Sequence, residues 1–262
     1  MFFSLGTLPL ALVITVIIGG TVAAGVVVGR RLGERASSGR ESLGVVQGAL
    51  LGLVGLLLAF GLSMAVSRYE SRRSVVVQEA NDIGTTYLRA QLLAEPARST
   101  SLDLLVSYTD AAVDLAGRVP ESDGFDQASQ QLESLQRDLW AAAGDAVRDD
   151  PQGTAPRLYV ESLNAMIDTH TDRLASLRNR VPASVMLLML GGSAIALGVL
   201  ALYLVLLGRG VTTSLVASAV VILILLVSFD LDRPQRGFIT VPASALRELR
   251  VSMDEPPAAT GP

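Results

Sequence analysis

Hydrophobic and polar positions divide the chain into four long uncharged runs and one polar stretch. Met1–Gly29 carries no charge, and Arg30 and Arg31 close it. Ser42–Ser67 is again uncharged, and as a helix at 1.5 Å per residue it is about 39 Å long, more than a bilayer core requires. Arg68, Glu70, Arg72 and Arg73 follow, and then apolar Val76, Ala80, Ile83, Tyr87 and Ala90 recur at helical spacing. No proline interrupts this stretch before Pro96, so one helix is expected to leave the lipid and continue into water. Val181–Gly208, with Pro182 suited to a helix start, and Val211–Phe229 are the third and fourth uncharged runs.

Four membrane spans are therefore expected. The first, about 8–29, is too long for a cleavable signal peptide and has no arginine before it, so it reads as a retained span. The expected division is 1–66 for spans one and two, 67–181 for a polar domain, 182–230 for spans three and four, and 231–262 for a tail, disordered from about Met253.

The polar domain holds 18 acidic residues against 12 arginines, and its periodicity is helical throughout. Beyond the extension of span two, Ala97–Val119 carries Leu102, Leu105, Val106, Ala112, Val113 and Ala116. Phe125–Arg148 follows with Ala128, Leu132, Leu135, Leu139, Ala142 and Ala146 on one stripe. After the loop Asp149–Pro156, Arg157–Arg180 shows Leu163, Met166, Ile167, His170, Leu174 and Leu177. The predicted fold class is all-α, an integral membrane protein with four transmembrane helices and a helical domain between the second and third.

Composition narrows the chemistry. The chain has no cysteine and no lysine, all 21 basic residues being arginine, and a single histidine, His170. Thiolate and Schiff-base chemistry are thereby excluded, and no cluster of nucleophile, base and orienting group is visible, so no enzyme and no cofactor are expected. A net charge of −4 does not suggest nucleic acid as a partner. Asp168, His170 and Asp172 do not make a metal site: the two aspartates share a helix face while His170 points about 160° away, on the apolar stripe. Glu121, Asp123 and Asp126 around Gly124 lack the length and terminal glutamate of a calcium loop and read as a solvated turn.

In the second span Gly44, Gly48, Gly52 and Gly55 lie within about 80° of one another, and Leu53, Leu57, Phe60 and Met64 cluster on the opposite side. The smooth face is a helix-packing surface, either within the chain or between subunits. At the end of span four, Asp230 and Asp232 with Arg233 are read as structural ion pairs with Arg68, Arg72 and Arg73, the alternative being a seat for a permeating cation.

The stretches Arg68-Tyr69-Glu70 with Arg72-Arg73, Glu79-Ala80-Asn81, Ile83-Gly84-Thr85 and Tyr87-Leu88-Arg89-Ala90 resemble the prokaryotic bestrophin-like domain family. So do Leu163–Asp168 and Asp230-Leu231-Asp232-Arg233-Pro234 with Gly237. The resemblance covers nearly the whole chain. It implies two spans, a helical cytoplasmic domain and two more spans, and a homo-oligomer, pentameric as bestrophins are, that conducts inorganic ions through a pore lined by the second span. Leu53, Leu57, Phe60 and Met64 are then the pore-lining candidates, with Glu79 and Asn81 facing a cytoplasmic vestibule. Two features depart from bestrophins: no acidic cluster resembles the calcium clasp of the animal proteins, and Phe60 is the lone aromatic of the second span. The alternative function is a non-conducting scaffold or signal transducer acting through the helical domain. With both termini inside, in the plasma (inner) membrane of a bacterium, the inner flanks hold nine arginines against five outside, which favours a cytoplasmic domain.

Overall fold

The structure, a computed structural model, describes residues 6–33 and 40–256. They form α1 (Thr7–Leu32), α2 (Arg40–Ala90), α3 (Ala97–Gly117), α4 (Asp123–Asp149), α5 (Thr154–Arg178), α6 (Ala183–Leu206), α7 (Thr212–Leu231) and α8 (Ser244–Ser252). No strand occurs among the described residues. Among the described residues four stretches, those containing α1, α2, α6 and α7, are long and apolar enough to cross a membrane. The chain divides into two compact units: residues up to Arg68 with Arg180–Ile239, and Tyr69–Asn179 with the residues from Thr240. The 51-residue α2 contributes to both.

In the first unit α1 lies along α6 at backbone distance. A methyl at Gly25 would overlap the Gly198 carbonyl, and one at Gly29 would come 2.9 Å from Val205, so only glycine permits this approach. Leu10, Ile14, Ile18 and Val22 fall on the same side of α1 and are buried. On α7, Leu225 and Phe229 complete this core.

The second unit is built on apolar stripes that the periodicity predicts. Val76, Ala80 and Ile83 of α2 meet Leu105, Ala112 and Leu115 of α3, Leu132 and Leu139 of α4, and Leu163 and Met166 of α5. At the start of α4 the Ser122 hydroxyl accepts from the Phe125 amide, and Asp123 and Asp126 stand in the positively polarised first turn. The acidic turn is thus a helix start. α5 begins a residue before Ala155, earlier than the expected Arg157, because Pro156 falls in its first turn, where a missing N–H costs nothing. The tail departs most from expectation. Ser244–Ser252 is a helix that buries Leu246 against this core, and Met253, expected to begin a disordered segment, is itself buried and accepts from Tyr87 Oη through its carbonyl at 3.3 Å. Residues 257–262 of that expectation lie outside the described residues.

Candidate functional site

The span portion of α2 carries three stripes roughly 120° apart at 100° per residue. Val54, Leu58, Gly61 and Ala65 form the buried one. It faces α6: a methyl at Gly61 would run into the Met189 thioether, and one at Gly192 would touch Val54 and Leu57. Sequence periodicity gave two faces where the fold uses three, since the chain's own contact lies between the smooth and bulky sides. The glycine stripe is divided. A side chain at Gly44 would meet the Tyr203 ring, whereas a Cβ at Gly48, Gly52 or Gly55 would meet no neighbouring group within 4 Å among the described residues. The bulky stripe is divided as well: Leu53 and Phe60 are 55% and 61% exposed, while Leu57, beside Gly192 of α6, and Met64 are half-buried. Leu56, 54% exposed, falls beside Leu53 and Phe60.

At the end of α7 the acidic motif closes a buried polar knot. Asp230, Asp232 and Arg233 are 4%, 0% and 2% exposed, which no group at a span end sustains without partners. Asp230 accepts from Thr7 Oγ1 at 3.2 Å and from the Ile239 amide at 2.9 Å, and it lies 3.7 Å from the Arg233 guanidinium. Arg233 in turn donates to Thr7 Oγ1 at 3.3 Å and to the Phe229 carbonyl. Asp232 accepts from the Val181 amide at 2.9 Å, just before α6. Gly237 is required because any Cβ there would collide with the Asp230 carboxylate. The start of α1, the approach to α6 and the end of α7 are thereby tied together.

On the helical unit, Arg72 is buried and donates to the Ser176 and Asn179 carbonyls, at 3.3 and 2.9 Å, capping the end of α5. Arg73 pairs with Glu70 at 3.7 Å on an exposed face. Arg68 is half-buried. Glu79, a vestibule candidate from sequence, does not face water: it is 0% exposed. One carboxylate oxygen pairs with Arg173, and the other lies 2.9 Å from His170 Nδ1. An ionised carboxylate only accepts, so Nδ1 carries the proton. His170 Nε2 is buried with no hydrogen-bond partner among the described residues, and the ring stands edge-on to Tyr108 at 6.2 Å. Burial and then the Glu79 charge hold the Tyr108 phenol above its ordinary range, and Gln136 donates to its oxygen at 3.2 Å. Asn81 is exposed.

The bestrophin-like domain family matches residues 14–246. The chain belongs to that family. In fold this bestrophin-like chain is similar to a bacterial bestrophin homologue from Klebsiella pneumoniae, with a TM-score of 0.64 at 14% identity over 90% of this chain and 97% of that one. A single-residue variant of the Klebsiella pneumoniae homologue gives 0.65 at 12% identity with the same coverage. No curated protein matches. The family and the four apolar helices make the protein a membrane protein with a bestrophin-like fold. The bestrophin-like motifs now have physical work. Glu79 holds α2 to α5 through His170 and Arg173, and the Asp230–Gly237 segment is the knot. Sequence reasoning missed the Glu79–Arg173 pair; the position of Glu79 within the Val76–Ala80–Ile83 stripe signals its burial but not its partner.

Proposed function

We propose that the protein is the subunit of a homo-oligomeric ion channel, pentameric as bestrophins are, in the bacterial plasma membrane, with α2 around the axis and Tyr69–Asn179 on the cytoplasmic side. The observation that carries this reading is the open, apolar surface of α2. Leu53, Leu56 and Phe60 lie within about 60° of one another and are each more than half exposed in the single chain. Turned to an axis, they stack as narrow rings, one side chain per subunit, and such constrictions gate by dewetting. Gly48, Gly52 and Gly55, on the flank, offer a neighbouring helix a surface it can approach closely. A smooth flank against a different flank of the next subunit is a head-to-tail contact, the kind that forms a ring when the rotation between subunits closes. Leu57 and Met64 then support the wall from the α6 side, and exposed Asn81 remains the candidate for the vestibule.

The test is flux in liposomes under Cl⁻ and K⁺ gradients. Leu56→Ser with Phe60→Ala should widen and wet the rings, raising flux of at least one ion at least tenfold while the oligomer stays assembled. Background flux from an assembled, correctly inserted double variant would reject the pore assignment and favour a non-conducting scaffold.

A further inference from the structure

Within the first unit, α1 and α7 leave between them a groove of about 470 Å³. Its walls are almost wholly hydrocarbon, with buried Ile18 and Val22 and exposed Gly19 and Ala23 on α1 and Leu215 and Ile222 on α7. One of its hydroxyls, Ser218, is already committed, donating to the Ser214 carbonyl at 2.7 Å. A polar guest would find little to bond, while a hydrocarbon chain would lose nothing by entering. The groove runs along α1 from Thr15 to Val27, about 18 Å at 1.5 Å per residue. That is slightly more than one leaflet of a ~30 Å hydrocarbon core.

One end of the groove is charged. Val26, Val27 and Val211 close it, and immediately beyond them stand Arg30 and Arg31 in the last turn of α1 and Arg209 before α7. All three arginines are exposed, and among the described residues none of them has an ion-pair partner. The first turn of α7 starts at the same end with no side-chain cap, so its free N–H groups and the positive end of its dipole add to the field there. An apolar slot one leaflet deep, headed by three exposed guanidiniums and a helix N-terminus, matches an amphiphile with an anionic head. We propose that this groove seats an acyl chain of an anionic glycerophospholipid, whose phosphate is held by Arg30, Arg31 and Arg209. The assignment is independent of whether the protein conducts.

Full-length protein, purified in mild detergent and stripped of lipid, would be titrated with phosphatidylglycerol or with phosphatidylcholine of the same acyl chains. Native mass spectrometry then counts bound lipids. Wild type should prefer phosphatidylglycerol. Replacing Arg30, Arg31 and Arg209 by Gln should erase that preference, with roughly a fivefold loss in apparent affinity for each arginine removed. Gly19→Leu, whose new side chain meets no atom within 4 Å of its Cβ, fills the groove without disturbing the fold and should lower uptake of both lipids. Equal uptake of the two lipids by wild type, or a preference that survives the triple substitution, would overturn the proposal. So would a Gly19→Leu protein with normal lipid uptake and altered oligomer size, which would mark the groove as a seat for a second copy.

Discussion

Glu79 concentrates the cost of error in the helical unit on one side chain. Its two carboxylate oxygens are shared between Arg173 and His170, all three residues being nearly inaccessible. Removing one partner of such a group leaves a buried charge uncompensated, at about 3–5 kcal/mol, whereas replacing a whole buried pair by apolar groups is often close to neutral. Glu79→Ala should therefore lower the thermal midpoint of the full-length protein sharply, followed by circular dichroism. Adding Arg173→Met should restore part of the loss. If the double variant is no more stable than Glu79→Ala, the pair is not what the carboxylate serves. Gly237→Ala belongs to the same scale: its methyl would displace the Asp230 carboxylate, and overpacking of that kind costs about 1–3 kcal/mol. Of these details, the sequence showed His170 on an apolar stripe and thus a buried, bonded imidazole. It did not show the partner, because partners in tertiary contact leave no periodic trace.

Helices were legible almost to their ends, because in water an apolar stripe stands out against polar neighbours. Inside the bilayer that contrast disappears. Val54, Leu58, Gly61 and Ala65 are no more apolar than the exposed Leu53 and Phe60, so nothing in the pattern distinguished the α6 contact from the open faces. α8 escaped for a different reason: nine residues with one buried leucine give too short a period to register. The glycines show how elements part company in function. Gly25 sits against the Gly198 backbone within the chain, while a Cβ at Gly48 would meet no neighbouring group among the described residues. Gly25→Leu should thus prevent the folded chain from accumulating, as measured by yield after membrane extraction. Gly48→Leu should leave the single chain intact and, if this face meets a neighbouring subunit, dissociate oligomers in mild detergent. Unchanged size and yield for Gly48→Leu would mean that the face looks at lipid.

For the whole molecule, sidedness has a direct measurement. Nine arginines flank the proposed inner side and five the outer. A reporter enzyme active only outside the membrane should be silent when fused after Gly124 and active when fused after Ser38. The reverse pattern would place the helical unit outside and remove the channel reading. The order in which the molecule is made carries a further consequence. α1 packs on α6 and α7, and Thr7 enters the knot with Asp230 and Arg233, so α1 leaves the ribosome well before the helices it packs against. Until α6 and α7 are inserted, α1 has to stay in the bilayer as an independently stable helix, which its uncharged length allows. A ribosome stalled anywhere before Ala183 would leave α1 in the membrane without its mate, an obvious mark for the proteases that survey incomplete chains, and two co-expressed fragments divided in the α4–α5 loop should find each other there.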